Sequence, residues 1–321
     1  MSKKILLLIL LVFLGILFLG VISYAKTFIT IGTSSMTATP YAVGNAMANI
    51  LNNNFSDKNY HFSAIETGGS VRNVSLIKEG EIDIALIGAD VADAAYYGTG
   101  KFEGKPNKKL CAVGGLYPKV FQPVAKKDIN SIKDIIGKSV TVGKAGSGSD
   151  FISKTILSLY NITYKDIKPI YMSGSSAAEM LKDGHADVMF YTTGIPASPV
   201  TEIFSSRIGS DFHILKLESE KIGELTKKYK YWNPFDIPAN TYKGQNELIK
   251  SVAVYQLLIY SDSIPENVAY EITKILYEHK DEIIASHKAM KFFGFDIVKV
   301  SSIPYHAGAL DYFKEVGIDI D

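Results

Sequence analysis

One cysteine, two arginines and almost no net charge set the first limits on this 321-residue chain. With Cys111 alone, no intrachain disulfide can form, so stability has to come from packing. In the apolar stretch Leu110-Cys111-Ala112-Val113 it reads as a buried small hydrophobe rather than a nucleophile. Arg72 and Arg207 are the arginines among 34 basic residues, so no arginine cluster awaits a phosphate. A net charge of +1 falls short of the basic surface that displaces counterions from nucleic acid, which excludes that class of partner. The histidines (His61, His185, His213, His279, His287, His306) are scattered without metal-ligand spacing, so no metal is expected.

Catalytic patterns are equally thin. Ser75-Leu-Ile-Lys78 matches Ser-x-x-Lys, but no Ser-Asp-Asn or Lys-Thr-Gly accompanies it. Gly146-Ser147-Gly148 lacks the spacing of a nucleophile elbow. Gly143-Lys-Ala-Gly-Ser-Gly-Ser lacks the Gly-Lys-Ser/Thr ending of a phosphate loop. No enzyme class and no cofactor is expected.

What the chain does have begins with Lys3 and Lys4, an apolar run over 5–22 and Ser23-Tyr24-Ala25. These describe an export signal cleaved after Ala25, with an uncleaved membrane anchor as the alternative. The remainder fits two domains, and its 47% hydrophobic and 21% charged residues are ordinary for a globular protein. Period-2 and period-3.6 segments alternate in two series. The first has strands over 27–33, 60–67, 82–87 and 110–117. Its helices are 41–51 (Ala42, Ala46 and Ile50 inward), one opening at Ser70 and one at Asp90. The second places strands over 138–143, 168–172, 186–192 and 212–217 between helices. Such alternation predicts mainly parallel sheets with helices on both faces. A repeat links the series: a Ser-initiated helix, a Gly stop (Gly80, Gly184), then an Asp (Asp83, Asp187) before an apolar strand. The Gly suits an αL cap and the Asp a turn cap.

Small hydroxyl-rich turns precede the helices: Gly32–Thr39, Thr67–Ser70 and Ala145–Ser149. Free N–H groups and the dipole at a helix start favour an anionic group, and ligands of open α/β sheets bind beyond the carboxyl ends of strands. Ser70 is the expected N-cap of its helix. Asp90 is expected to cap its own helix, to accept a ligand ammonium, or both.

The motifs then coincide with one family. They are Ile31-Gly-Thr33 with Tyr41 and Gly44, Thr67-Gly-Gly-Ser70-Val-x-Asn73, Glu79-Gly-x-x-Asp83 with Asp90, Leu116-Tyr117-Pro118, Gly146-Ser-Gly148 and Gly194-x-Pro196. In this order they resemble the TAXI-type solute-binding subunits of TRAP transporters. The resemblance implies a periplasmic-binding-protein type II fold, two α/β lobes with a ligand cleft between them. It also implies a periplasmic location and delivery of a glutamate- or glutamine-like amino acid or other small carboxylate to an ion-gradient-driven membrane permease. Thr39, Tyr41, Ser70, Asn73, Asp90 and Tyr117 would line the cleft from the first lobe, and Ser147, Ser149, Gly194 and Pro196 from the second. The first loop departs from the family, keeping one tyrosine (Tyr41) after Pro40, and Lys119 follows Pro118 where an acid is common. With no arginine placed to clamp an acid, hydroxyls and helix starts are the expected donors. The expected division is a signal over 1–25, lobe I over 26–122 plus 236–321, and lobe II over 123–235, with crossings near 121–127 and 217–242. The alternatives are a secreted sensor or surface antigen without a permease, and a two-lobed hydrolase or transferase.

Overall fold

The computed structural model describes residues 26–172 and 174–320. The expected export signal lies outside the described residues. The first series contains β1 (Thr27–Gly32), α1 (Thr39–Asn54), β2 (Tyr60–Ile65), α2 (Ser70–Glu79), β3 (Ile84–Gly88) and α3 (Ala89–Tyr97). A long β4 (Leu110–Lys126) leads to β5 (Ser139–Thr141), α4 (Gly148–Leu159), β6 (Lys168–Ile170), α5 (Ser175–Lys182) and β7 (Val188–Thr193). Then come α6 (Ser198–Ser205), β8 (Phe212–Ile214), α7 (Ser219–Lys228), β9 (Trp232–Ile237) and β10 (Ile249–Ser261). Helices α8 (Glu266–Glu278), α9 (Lys280–Ser286) and α10 (Ala307–Glu315) follow.

The strands run in the order β2-β1-β3-β10-β4-β7-β5-β6, with β8 on β4 and β9 on β10. Pairing is parallel among β1, β2 and β3 and among β5, β6 and β7. β10 and β4 run antiparallel to each other and to the neighbours β3 and β7. These two strands are long enough to serve both halves. In β4, Val113, Leu116 and Tyr117 join the core of the first half, while Val120, Phe121 and Val124 join that of the second.

The crossings therefore differ from those expected. Ile237, Tyr242, Ile249, Val252 and Val254 pack with the second half, and β9 pairs with the first half of β10. The stretch 237–254, assigned to the first lobe from the sequence, belongs by packing to the second. The chain changes core inside β4, about Tyr117–Val120, and inside β10, about Val254–Gln256. An unbroken apolar strand carries no sign of where it leaves one core and enters another, which is why periodicity misplaced the crossing.

Local sequence explains the elements that hold the site. Helix α1 starts at Thr39 with Pro40 in its first turn, where the missing N–H costs nothing. Its buried stripe is Val43, Met47, Ile50 and Leu51; Ala42 is exposed and Ala46 half-buried, so the expected inward face is rotated. Burying such side chains is worth roughly 1.5–3 kcal/mol each, which outweighs anything two alanines offer. The internal repeat is physical. Asp83 accepts the Thr30 N–H at 2.8 Å and returns its own N–H to the Thr30 carbonyl. Asp187 does the same with Ser139, at 2.9 and 2.8 Å. Gly80 and Gly184 both stop their helices in the left-handed region, at φ +76° and +77°. Each half thus pins the strand after a helix to the parallel strand beside it.

Candidate functional site

Two helix starts meet between the halves. Gly69, at φ +85°, caps α2, and Ser70 is the first helical residue. This corrects the expectation that Ser70 is the N-cap: the backbone there needs a positive φ, which glycine adopts at little cost. The Ser70 hydroxyl instead accepts the Gly88 N–H at 3.1 Å, leaving its proton to donate. Opposite, Ser147 caps α4 and its Oγ accepts the Asp150 N–H at 3.2 Å, again leaving a proton free. A methyl on Gly148 would lie 3.1 Å from both Ser70 Oγ and Lys119 Nζ. The two helix starts are therefore in side-chain contact range. A hydrogen bond from the Thr193 hydroxyl to that of Thr39, 3.2 Å, also joins the halves.

The cavity between them is small, about 70 Å³. Of the ten residues named from the sequence, Ser70, Tyr117, Ser147 and Ser149 line it. The other six expected residues stand elsewhere. Thr39 is buried in the wall, flanked by the lining residues Ala38 and Pro40. Tyr41 is partly exposed on α1 and Pro196 is partly exposed after Ile195; neither lines the cavity. Gly194 supports from behind, since a methyl there would lie 3.3 Å from the Tyr117 ring and 2.2 Å from Ala289. Asn73 is wholly buried and braces the site. Its amide donates to the carbonyls of Gly32, Thr33 and Leu86 and its Oδ1 accepts the Thr67 hydroxyl at 2.6 Å. Asp90 is wholly buried behind Gly88.

The sequence reading missed the residue that charges the cavity. Lys119 lines it and is 5% exposed. Hydroxyls and helix starts alone are expected from the sequence; the structure adds the amine of a buried lysine. The signal was present: in a strand, residues two apart share a face, so the side chain after Tyr117-Pro118 points where Tyr117 does. Lys119 faces Asp90 across Gly88, where a methyl would lie 2.5 Å from Asp90 Oδ1 and 2.8 Å from Lys119 Nζ. Burial pulls the Lys119 amine below its usual range, opposed by the Asp90 charge. Burial pushes the Asp90 carboxyl up, opposed by Lys119. No hydrogen bond joins Lys119 to either Asp90 oxygen, so the lysine's protons are not spent on it.

Tyr191, Thr192, Thr193, Gln256 and Lys144 add polar lining from outside the three hydroxyl-rich turns, and Ser34 comes from the first of those turns. Four lining side chains hold a buried polar atom without a partner: Ser34 Oγ, Tyr117 Oη, Thr192 Oγ1 and Gln256 Nε2. Buried polar atoms are nearly always paired, so these four leave the cavity with hydrogen-bonding capacity that water or a polar guest would meet. Burial holds the Tyr117 phenol well above its usual pKa and pushes that of Tyr191 up to about 12, so both are neutral donors. Arg72 is on the surface with Glu79 at 3.2 Å, and Arg207 is exposed. Among the described residues no cluster of His, Cys, Asp or Glu could hold a metal.

Two halves built from parallel strands, joined by a pair of long antiparallel strands and enclosing a polar cavity, define the periplasmic-binding-protein type II fold. Residues 31–317 match the NMT1-like family, and the chain belongs to that family. Solved structures share the fold at low identity. The binding protein component of an ABC phosphonate transporter from Pseudomonas aeruginosa is 12% identical, with 83% of this chain and 80% of that one covered, at a TM-score of 0.54. A protein from Bordetella bronchiseptica is 14% identical over 90% and 89% of the two chains, at 0.53. An alkanesulfonate-binding protein from Xanthomonas axonopodis pv. citri is also similar, at 14% identity over 81% and 77%, with a TM-score of 0.46. Among the described residues no helix is long and apolar enough to cross a membrane.

Proposed function

We propose that the chain is an extracytoplasmic receptor that closes its two halves around a small anionic solute, a carboxylate in the first place, and delivers it to a membrane permease. The observation that carries this is the meeting of two helix starts and the Lys119 ammonium around four unpartnered polar side chains. Helix N–H groups and their dipole stabilise an anion, each dipole by roughly 0.3–1 kcal/mol when exposed and more when buried. The two halves are 26–118 plus 255–320, and 119–254. The strand segments at Tyr117–Val120 and Val254–Gln256 are the hinge, as in closure of two domains about a ligand. Binding rather than turnover fits the lining, in which, among the described residues, no histidine stands beside Ser70 or Ser147 to act as a base.

Two observations bear on the permease. The sequence motifs favour an ion-gradient partner, while the phosphonate-binding structural neighbour serves an ABC transporter. Uptake into vesicles energised by a sodium or proton gradient, against ATP, decides between them. Binding itself is tested by thermal unfolding in the presence of small anions and neutral analogues. A ligand at 100 times its Kd adds about 2.7 kcal/mol, or roughly 5–10 °C at 2–4 °C per kcal/mol. If no anion raises the melting temperature, the receptor reading is wrong.

A further inference from the structure

We infer that the cavity selects small oxyanions that carry no ammonium group, with Lys119, set against Asp90, as the residue that makes the selection. The inference rests on the receptor reading and narrows its ligand. Among the described residues lining the cavity none is acidic, and two, Lys119 and Lys144, are basic. An α-amino acid brings an ammonium that needs an acidic or multiply accepting partner once it leaves water. Two carboxylates lie near, and neither is available. Asp150 is engaged with the Gly146 N–H, Lys154 and the Tyr164 hydroxyl at 2.9–3.0 Å. Asp90 is buried beside Gly88 and is not among the lining residues, whereas Lys119, also beside Gly88, is.

The protein's own ammonium thus occupies the place a ligand amine would take. Its protons do not hydrogen-bond Asp90 and are left to an incoming oxygen, as are those of Ser70 and Ser147. The far polar groups, Tyr117, Thr192 and Gln256, are neutral and suit a hydroxyl, carbonyl or second acid oxygen. Among the described residues, the charged groups that line the cavity, Lys119 and Lys144, are both cations.

Isothermal titration of the purified chain with matched pairs tests this: succinate against aspartate, glutarate against glutamate, methylphosphonate against aminomethylphosphonate. The expected result is at least tenfold tighter binding of the amine-free member in each pair that binds. Lys119→Met should weaken the amine-free ligand at least thirtyfold with an unchanged circular dichroism spectrum, and Lys119→Arg should keep the preference. Tighter binding of the amino member by the unaltered chain overturns the inference and leaves the receptor reading standing. So does a folded Lys119→Met variant with unchanged affinity. Absence of binding by every member of both series removes the receptor reading itself. Because the matched pairs are measured on the unaltered chain, the outcome does not depend on either variant folding.

Discussion

Replacing Asn73 with alanine separates a brace from a ligand contact. The side chain is fully buried and makes bonds to three strand-end carbonyls, at 3.2, 2.9 and 3.2 Å, and accepts one from Thr67. In turn the Thr67 hydroxyl accepts the Gly69 N–H at 3.0 Å, so the same residue fixes the turn that launches α2. Deleting one partner of a buried bond costs about 1–3 kcal/mol. The Thr67 hydroxyl can turn to the Thr33 carbonyl, 2.9 Å away, which limits the loss on that side. The three carbonyls crowd one small space and share two amide protons, so their losses do not add in full. A total of about 3 kcal/mol is expected, lowering the melting temperature by roughly 6–12 °C. Urea unfolding should show a lower midpoint at unchanged slope, and the ligand-induced shift should survive in the folded variant. A variant that unfolds like the parent yet binds no ligand would refute the reasoning and make Asn73 a direct contact.

The double variant Ser70→Ala, Ser147→Ala should stay folded, losing about 2 kcal/mol from the freed Gly88 N–H and the lost cap, while its ligand-induced thermal shift disappears. An undiminished shift would rule out the helix-start donors. Asp83→Ala and Asp187→Ala should each cost about 1–2 kcal/mol in urea unfolding, because each removes the acceptor of a strand N–H; a cost in one and none in the other would break the equivalence of the halves. Cys111 has its thiol pushed up to about 11 by burial and, secondarily, by Asp262. At pH 8 its thiolate fraction is about a hundredfold below that of a thiol at 9, so labelling by a disulfide reagent should be slow in the folded chain and fast in urea. The raised folded-state pKa gives a stability contribution present below pH 9 and lost as pH rises from 9 to 11, which Cys111→Ala should abolish.

The fold was legible because each half obeys local rules. Ser70, Gly80 and Asp83 stand at the start, the stop and the strand junction of one unit, and Gly184 and Asp187 repeat the last two. The cavity lining was legible where a turn announces it, as at Ser70, Ser147 and Ser149. It was illegible where a strand supplies it: Lys119, Tyr191, Thr192 and Gln256 sit in β4, β7 and β10, inside runs whose pattern reports burial and nothing more. Burial that encloses a ligand and burial that encloses a neighbour look the same along one chain. Asn73 is the converse case: a motif residue beside the turn has its side-chain hydrogen-bonding groups engaged with strand-end carbonyls and Thr67.

The placement of the crossings gives those strand residues a further meaning. Gln256 pairs with both Tyr117 and Gly88, and Lys119 pairs with Val254, so the polar groups of the cavity lie at the points where β4 and β10 pass between cores. The ladder between these strands shifts register between Gln256 and Leu257, and such irregularities bend a strand locally. A solute held by Lys119, Tyr117 and Gln256 is then bound at the proposed hinge itself, and the helix starts at Ser70 and Ser147 swing onto it from either side. Anchoring at the hinge and capping by the moving parts have separable signatures. Lys119→Met should weaken the open form's first encounter and slow association, because a buried charge focuses the approach of an anion. Gly148→Ala, whose methyl would lie 3.1 Å from Ser70 Oγ and Lys119 Nζ, should leave association intact and speed dissociation by preventing full closure. Stopped-flow measurements in which both variants change the same rate constant would contradict that division of labour.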